Sequence, residues 1–270
     1  VSRNFQDFEY LRKLYGDKNQ IASRGEFLKR YSNRNQSIRD ILVTLIGDCN
    51  DMSVIDIGAG NGSFLSKIKK RSPSVVVSAI DIIENPQIKQ NYEIAYRIYD
   101  GVHLPSDLGK FDIILMMHML YHVANVREFL KSTFNTYGKQ GSRIFITTKS
   151  MYTMPQLEAE FQGIISELSI VDEEASGVRD EAHFCRENAG DIIKDSFQGL
   201  GYSIKQYDLD TQILVDNSDD LMNYILSTPR YGSKFQSINY DRYIECWINR
   251  LSKYDLFIDT YKETICVVEF

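Results

Sequence analysis

Val54-Ile-Asp-Ile-Gly-Ala-Gly-Asn-Gly62 is the stretch that decides the fold. A short apolar strand runs into three glycines at alternate positions, Gly58, Gly60 and Gly62, and a helical stretch, Ser63–Arg71, begins at once. Glycines there let the backbone turn tightly, and let a ligand lie against it without meeting a β-carbon. The spacing is G-x-G-x-G. The dinucleotide fingerprint is G-x-G-x-x-G, and here Ser63 and Phe64 stand where its third glycine would pack helix on strand. Asp56, two residues before the first glycine, would repel a pyrophosphate; it suits a cationic ligand, such as a sulfonium bearing an α-ammonium group. The plain alternative is a strand-to-helix turn with a solvated Asp.

Outward from this loop the pattern alternates. Val54–Ile57, Val75–Ile80, Ile94–Tyr99, Phe111–Met117 and Arg143–Thr148 read as strands, with Ser63–Arg71 and Val126–Tyr137 as helices between them, the signature of βαβ units on a parallel sheet. Asp81 ends the second strand 19 residues past Gly62, where a carboxylate can accept from both hydroxyls of a ribose. Alone, such an Asp is more often a cap. Residues 4–47 read as helices punctuated at Gly16-Asp17 and Gly47-Asp48. After strand five come helices at Pro155–Ser169, Asn188–Leu200, Ser218–Leu226 and Tyr240–Tyr254, and strands at Tyr202–Leu209 and Thr264–Phe270.

Composition narrows the class. The 270 residues are 43% hydrophobic and 25% charged, an ordinary soluble composition, with no apolar run long enough to span a bilayer. Val1–Glu9 carries Arg3, Asp7 and Glu9 rather than an apolar signal core, so a cytoplasmic location is the expectation. The net charge of −6 argues against holding nucleic acid by its phosphates. Residues 1–50 hold nine Lys/Arg against six Asp/Glu, a small excess that a solvated helical face explains. Cys49, Cys185, Cys246 and Cys266 lie far apart, without metal spacing, and read as free buried thiols.

The motifs together resemble the class I S-adenosylmethionine methyltransferases, in the ubiquinone/menaquinone-methyltransferase-like small-molecule branch. Asp56–Gly62 is similar to their first motif, and Asp81 to the acidic residue after their second strand. Asp100-Gly-Val-His-Leu-Pro105 resembles the segment after strand three that approaches and lines the adenine. Phe111–Val123 resembles the fourth strand and its following turn, and Tyr137–Ser142 the glycine-containing turn before strand five. This similarity covers about residues 54–150; weaker likenesses lie at Phe184–Gly190 and Leu221–Ser227. Met117 departs from the pattern, standing where relatives carry a small or amide residue, so its contact with the cofactor is van der Waals.

The resemblance implies an α/β fold, a Rossmann-like seven-stranded, mostly parallel sheet with helices on both faces. It implies one domain: an N-terminal helical cap (1–50), a cofactor-binding core (51–150), lid and substrate insertions (151–190 and 211–260) and closing strands (191–210 and 261–270). It also implies S-adenosylmethionine as cofactor, leaving as S-adenosylhomocysteine, bound by Asp56, Gly58, Ala59, Gly60, Asn61, Gly62, Asp81, Ile82, Asp100, Gly101, Val102 and Met117. The acceptor is then a small molecule methylated on O, N or C, in bacterial specialised metabolism, with neither nucleic acid nor membrane as partner. No oligomeric state follows.

Methyl transfer is an in-line displacement, so the protein mainly aligns the acceptor in a dry site. His118 and His122, in the turn after strand four, are the candidate catalytic residues, His118 as proton acceptor for a hydroxyl. Their four-residue spacing lacks a third metal ligand nearby, so no metal is expected. Tyr10, Tyr31, Tyr121 and Tyr152 are the candidate acceptor-lining residues among 17 tyrosines that mostly fill core. An RNA or protein methyltransferase is disfavoured by the acidic balance and by Met117-His-Met-Leu120 in place of Asn/Asp-Pro-Pro-aromatic. A nicotinamide dehydrogenase is disfavoured by the glycine spacing, and a non-catalytic cofactor-binding protein stays open.

Overall fold

The structure, a computed structural model, describes residues 18–85, 88, 94–101, 103–170, 184–228, 230–232 and 240–270. Seven strands, β1 (Ser53–Ile57), β2 (Val76–Asp81), β3 (Ala95–Ile98), β4 (Ile113–Met117), β5 (Arg143–Lys149), β6 (Ser203–Val215) and β7 (Phe257–Glu269), form one sheet in the order β3-β2-β1-β4-β5-β7-β6. The first five run parallel; β7 is antiparallel to both its neighbours. The order reverses between β1 and β4, and the crevice outside the carboxyl ends at such a point is where open α/β sheets bind ligands.

Helices cover both faces, as the sequence predicts. On one face α2 (Ile38–Ile46) and α3 (Ser63–Arg71) bury Leu42, Val43, Ile46, Phe64, Leu65 and Ile68 against Val54, Val77, Leu115 and Phe145. On the other, α4 (Val126–Tyr137) and α6 (Ala189–Ser196) bury Phe129, Leu130, Ile192 and Ile193 against Ile55, Ile114 and Ile146. Local sequence starts two of these helices. Ser37 and Asp40 form a capping box on α2, and the Asn125 side chain accepts from the Glu128 amide at α4.

Both closing strands are longer than their apolar runs predict. β6 reaches Val215 rather than Leu209, and β7 begins at Phe257 rather than Thr264, so the two pair over thirteen residues and project past the parallel strands. The polar residues that hide this extension have work elsewhere. Asp259 is buried in β7 and accepts from the Gln156 and Leu157 amides, capping α5 (Pro155–Glu167), which has no side-chain cap of its own. On the projecting strands rests a second core: Phe27 and Tyr31 of α1 (Lys18–Tyr31), Phe161 of α5, Tyr224 of α7 (Ser218–Ser227), and Tyr243 and Trp247 of α8 (Tyr240–Leu251), packed on Ile213, Phe257 and Tyr261. The predicted insertions therefore share one apolar centre with the N-terminal helix. All four cysteines are buried free thiols. Among the described residues no helix is long and apolar enough to cross a membrane.

Candidate active site

The glycine loop takes the shape its composition allows. Gly58, Gly60 and Gly62 all have positive φ (76°, 57° and 69°), a region costly for side-chain-bearing residues. A β-carbon at Gly58 would press on Met119, and one at Gly62 on Ile88, whereas one at Gly60 would meet nothing within 4 Å among the described residues. Gly58 and Gly62 are thus demanded by packing; Gly60 faces open space.

Two buried carboxylates stand behind the loop. Asp81, 6% exposed, accepts from the Gly60 amide at 2.7 Å and the Ile83 amide at 2.9 Å, tying the loop to the end of β2. Desolvation pushes its carboxyl above the usual range, and those amides pull it back. Asp56, 2% exposed, has a buried oxygen, Oδ1, with no hydrogen-bond partner among the described residues. Burial first, and the charge of Asp81 second, push Asp56 up to about 8. A buried carboxyl oxygen without a partner, beside an open backbone loop, has the chemistry to take a cationic or hydrogen-bond-donating ligand.

Across the switch point the edge carries the opposite charge. His118, directly after β4, sits at φ 50°, and its amide donates to the Thr147 carbonyl at 3.0 Å and hydroxyl at 3.1 Å. Such strain in a residue with a side chain recurs at functional sites. The His118 imidazole has Nε2 3.7 Å from Glu263 Oε2, and its buried Nδ1 has no partner. Desolvation, with the charges of Lys149 and Arg39, holds it down at about 3. Lys149 ends β5 directly opposite Glu263 of β7, and its ammonium lies 5.4 Å from the centre of the Tyr261 ring. Burial and the Arg24 guanidinium lower it to about 8, against the pull of Glu263. Arg34, just past α1, donates to Glu263 Oε1 at 2.7 Å.

The remaining predicted residues scatter. Ala59, Ile82 and Met117 are half-buried beside the loop and the β4 end, and the Asn61 side chain accepts from the Ser63 amide. Gly101 is buried at φ 87°, while the exposed Asp100 carboxylate holds the His103 amide and ring, both at 2.7 Å. His122 lies in the short turn Leu120–His122, with the Tyr121 ring edge-on to it at 4.4 Å. Tyr31 is buried in the second core, its hydroxyl donating to Asp220 at 2.5 Å, and Tyr152 is 57% exposed. Tyr10 and Val102 lie outside the described residues. The sequence reading missed Arg34, Lys149 and Glu263. The one available signal was a charged residue at each of two apolar strand ends, Lys149 closing Arg143–Thr148 and Glu263 preceding Thr264–Phe270.

The family model described as "Methyltransferase domain" matches residues 30–189, more than half of the chain, which belongs to that family. A ubiquinone biosynthesis O-methyltransferase of Bartonella tribocorum is 32% identical over 104 residues, 37% of this chain and 42% of that protein. The chain thus spans under half the length of this relative. A malonyl-[acyl-carrier protein] O-methyltransferase of Bacillus cereus is 23% identical over 177 residues, 60% of this chain and 65% of that protein. Among solved structures the [4+2]-cyclase SpnF superposes with a TM-score of 0.54 at 14% identity, covering 100% of this chain and 97% of that one. That likeness is one of fold: a scaffold of this kind also serves a cyclase.

Proposed function

We propose that the chain transfers a methyl group from S-adenosylmethionine to a small-molecule acceptor held at the carboxyl ends of β4 and β5, beside the stretch of β7 around Glu263. The observation that carries the reading is the pairing of the orphaned Asp56 oxygen with the open space at Gly60, backed by the Asp81 carboxylate. When bound, the cofactor supplies a methyl carbon on a positively charged sulfur. Asp56 offers that cation a buried carboxyl, which the ligand's positive charge draws toward its ionised form. Asp81 keeps accepting capacity for a ribose hydroxyl, since a carboxylate accepts at about four sites and the Gly60, Ile83 and Ile82 amides use three. The adenine side falls to Gly101 and Asp100.

On the acceptor side, the β4 turn, the end of β5 and the middle of β7 present His118, Lys149 and Glu263. His118, kept neutral, orients an acceptor by a hydrogen bond. An acceptor of small size accords with the acidic net charge, which disfavours nucleic acid. Calorimetric titration tests the reading: S-adenosylhomocysteine should bind and NAD should not. Binding of NAD in its place, or of neither, would overturn it.

A further inference from the structure

Three side chains beside the β4 turn have more hydrogen-bonding capacity than the described residues use. Arg34 spends one nitrogen on Glu263, and its Nε and Nη1 are buried with no partner. His118 Nδ1 is likewise buried and unpartnered. The Lys149 ammonium has, among the described residues, no carboxylate within ion-pair distance; it rests on the Tyr261 ring and faces Glu263 across the β5–β7 ladder. Buried donors without acceptors are costly, and so is burying several cations together. Glu263 is the carboxylate of this cluster, and it is shared: one oxygen takes Arg34, the other lies nearest His118. Two cations, Arg34 and Lys149, act on it, and the charge of Arg24 from α1 acts on Lys149. Tyr121 and Tyr224 complete the surroundings through their proximity to Tyr261.

Taking the methyl-transfer reading as its basis, we infer that the acceptor is a carboxylic acid, whose carboxylate is held by Lys149 and Arg34 at the carboxyl end of β5, where Glu263 of β7 lies opposite. An anion there gives Arg34 Nε and Nη1 acceptors and supplies Lys149 with a counter-charge. The tyrosine rings flank the rest of the molecule. Lysine is the discriminating residue: truncating Arg34 would also orphan Glu263, whereas Lys149 has no ion pair among the described residues to break.

The acid is read against its neutral isostere. Benzoate and benzamide, and octanoate and octanamide, are titrated into the wild-type protein, with and without saturating S-adenosylhomocysteine. In at least one pair the acid should bind about tenfold more tightly than the amide, and the gap should shrink with added salt. Lys149→Met should reduce the gap below about threefold, and Lys149→Arg, which keeps the charge, should retain it. Circular dichroism melting confirms that each variant is folded; an unfolded Lys149→Met is replaced by Lys149→Gln. Because anion binding favours the ammonium form, acid binding at pH 8 should also take up protons, detectable as a dependence of the apparent enthalpy on buffer. Equal binding of acid and amide, binding by neither pair, or a gap that survives in Lys149→Met overturns the inference. Failure of S-adenosylhomocysteine to bind would instead sink the methyl-transfer reading, while the acid-to-amide comparison on the free protein still reports on this cluster.

Discussion

The two halves of the sheet's carboxyl edge answer the same physical pressure with opposite charge. On the β1–β2 side burial raises two acids, Asp56 and Asp81. On the β4–β5–β7 side burial lowers two bases, His118 and Lys149. Desolvation penalises whichever form is charged, so both halves are biased toward neutrality until a ligand of the opposite sign arrives. The halves meet where β1 adjoins β4. The difference teaches how one edge can hold a cationic donor and an anionic acceptor side by side, each attracted to its own half and repelled by the other.

The comparison breaks most sharply at Gly60. A β-carbon there meets no atom of the described residues within 4 Å, so Gly60→Val should fold, at a backbone cost of about 1–2 kcal/mol for a left-handed φ. It should nonetheless lose at least about a hundredfold in S-adenosylhomocysteine affinity, since the side chain fills the space against which the ligand lies. Near-normal calorimetric affinity in the folded variant would place the cofactor elsewhere. Asp81→Ala comes next, with an expected loss of about 1.5–3 kcal/mol, the scale of hydrogen bonds to a charged group. It also frees the Gly60 amide, so melting temperature is measured beside affinity. Unchanged affinity would remove Asp81 from the ribose.

How legible each half was in the sequence follows from how it is built. The acidic half lies within residues 56–81, on a strand, a glycine turn and the next strand, and spacing alone fixes where such residues stand. The cationic half draws on residues 34, 118, 149 and 263, from four elements, and only the β5–β7 register brings Lys149 against Glu263. That register was hidden because β7 begins seven residues before its unbroken apolar run, through Asp259 and Lys262. Tyr31 illustrates the converse. Its placement in a helical cap pointed to the acceptor, but its hydroxyl meets Asp220 of α7, a pairing set by tertiary packing.

Asp56→Asn sharpens the comparison through pH. With its carboxyl raised to about 8, the folded protein binds more protons at this position than the unfolded chain between about pH 4 and pH 8, so stability falls as pH rises through that window. In thermal melts of the ligand-free protein, the wild type should lose stability from pH 5 to pH 8 more steeply than Asp56→Asn. The variant should be the more stable at pH 8 and the weaker binder of S-adenosylhomocysteine. Identical slopes would show that Asp56 carries no charge worth relieving.

The smallest effect is expected at His118, and its sign is opposite. Lowered to about 3, the imidazole is neutral in the folded protein while the unfolded chain protonates it below about pH 6.5, so stability is lost as pH falls from there. His118→Ala should flatten that acid loss in the same melts. Alanine keeps the φ of 50° under strain, as glycine would not, so the comparison isolates the imidazole. For the reaction, a base this weak takes little of a proton near neutral pH, and a carboxylate acceptor has none to give. General-base catalysis typically supplies about 10²–10⁴-fold, so a loss under about tenfold in single-turnover methylation is the expected result for His118→Ala, with cofactor affinity unchanged. A loss above about a hundredfold between pH 6 and pH 8 would return His118 to the role of proton acceptor. It would equally argue for a hydroxyl acceptor, because a carboxylate brought to the methyl by Lys149 and Arg34 needs orientation and no base.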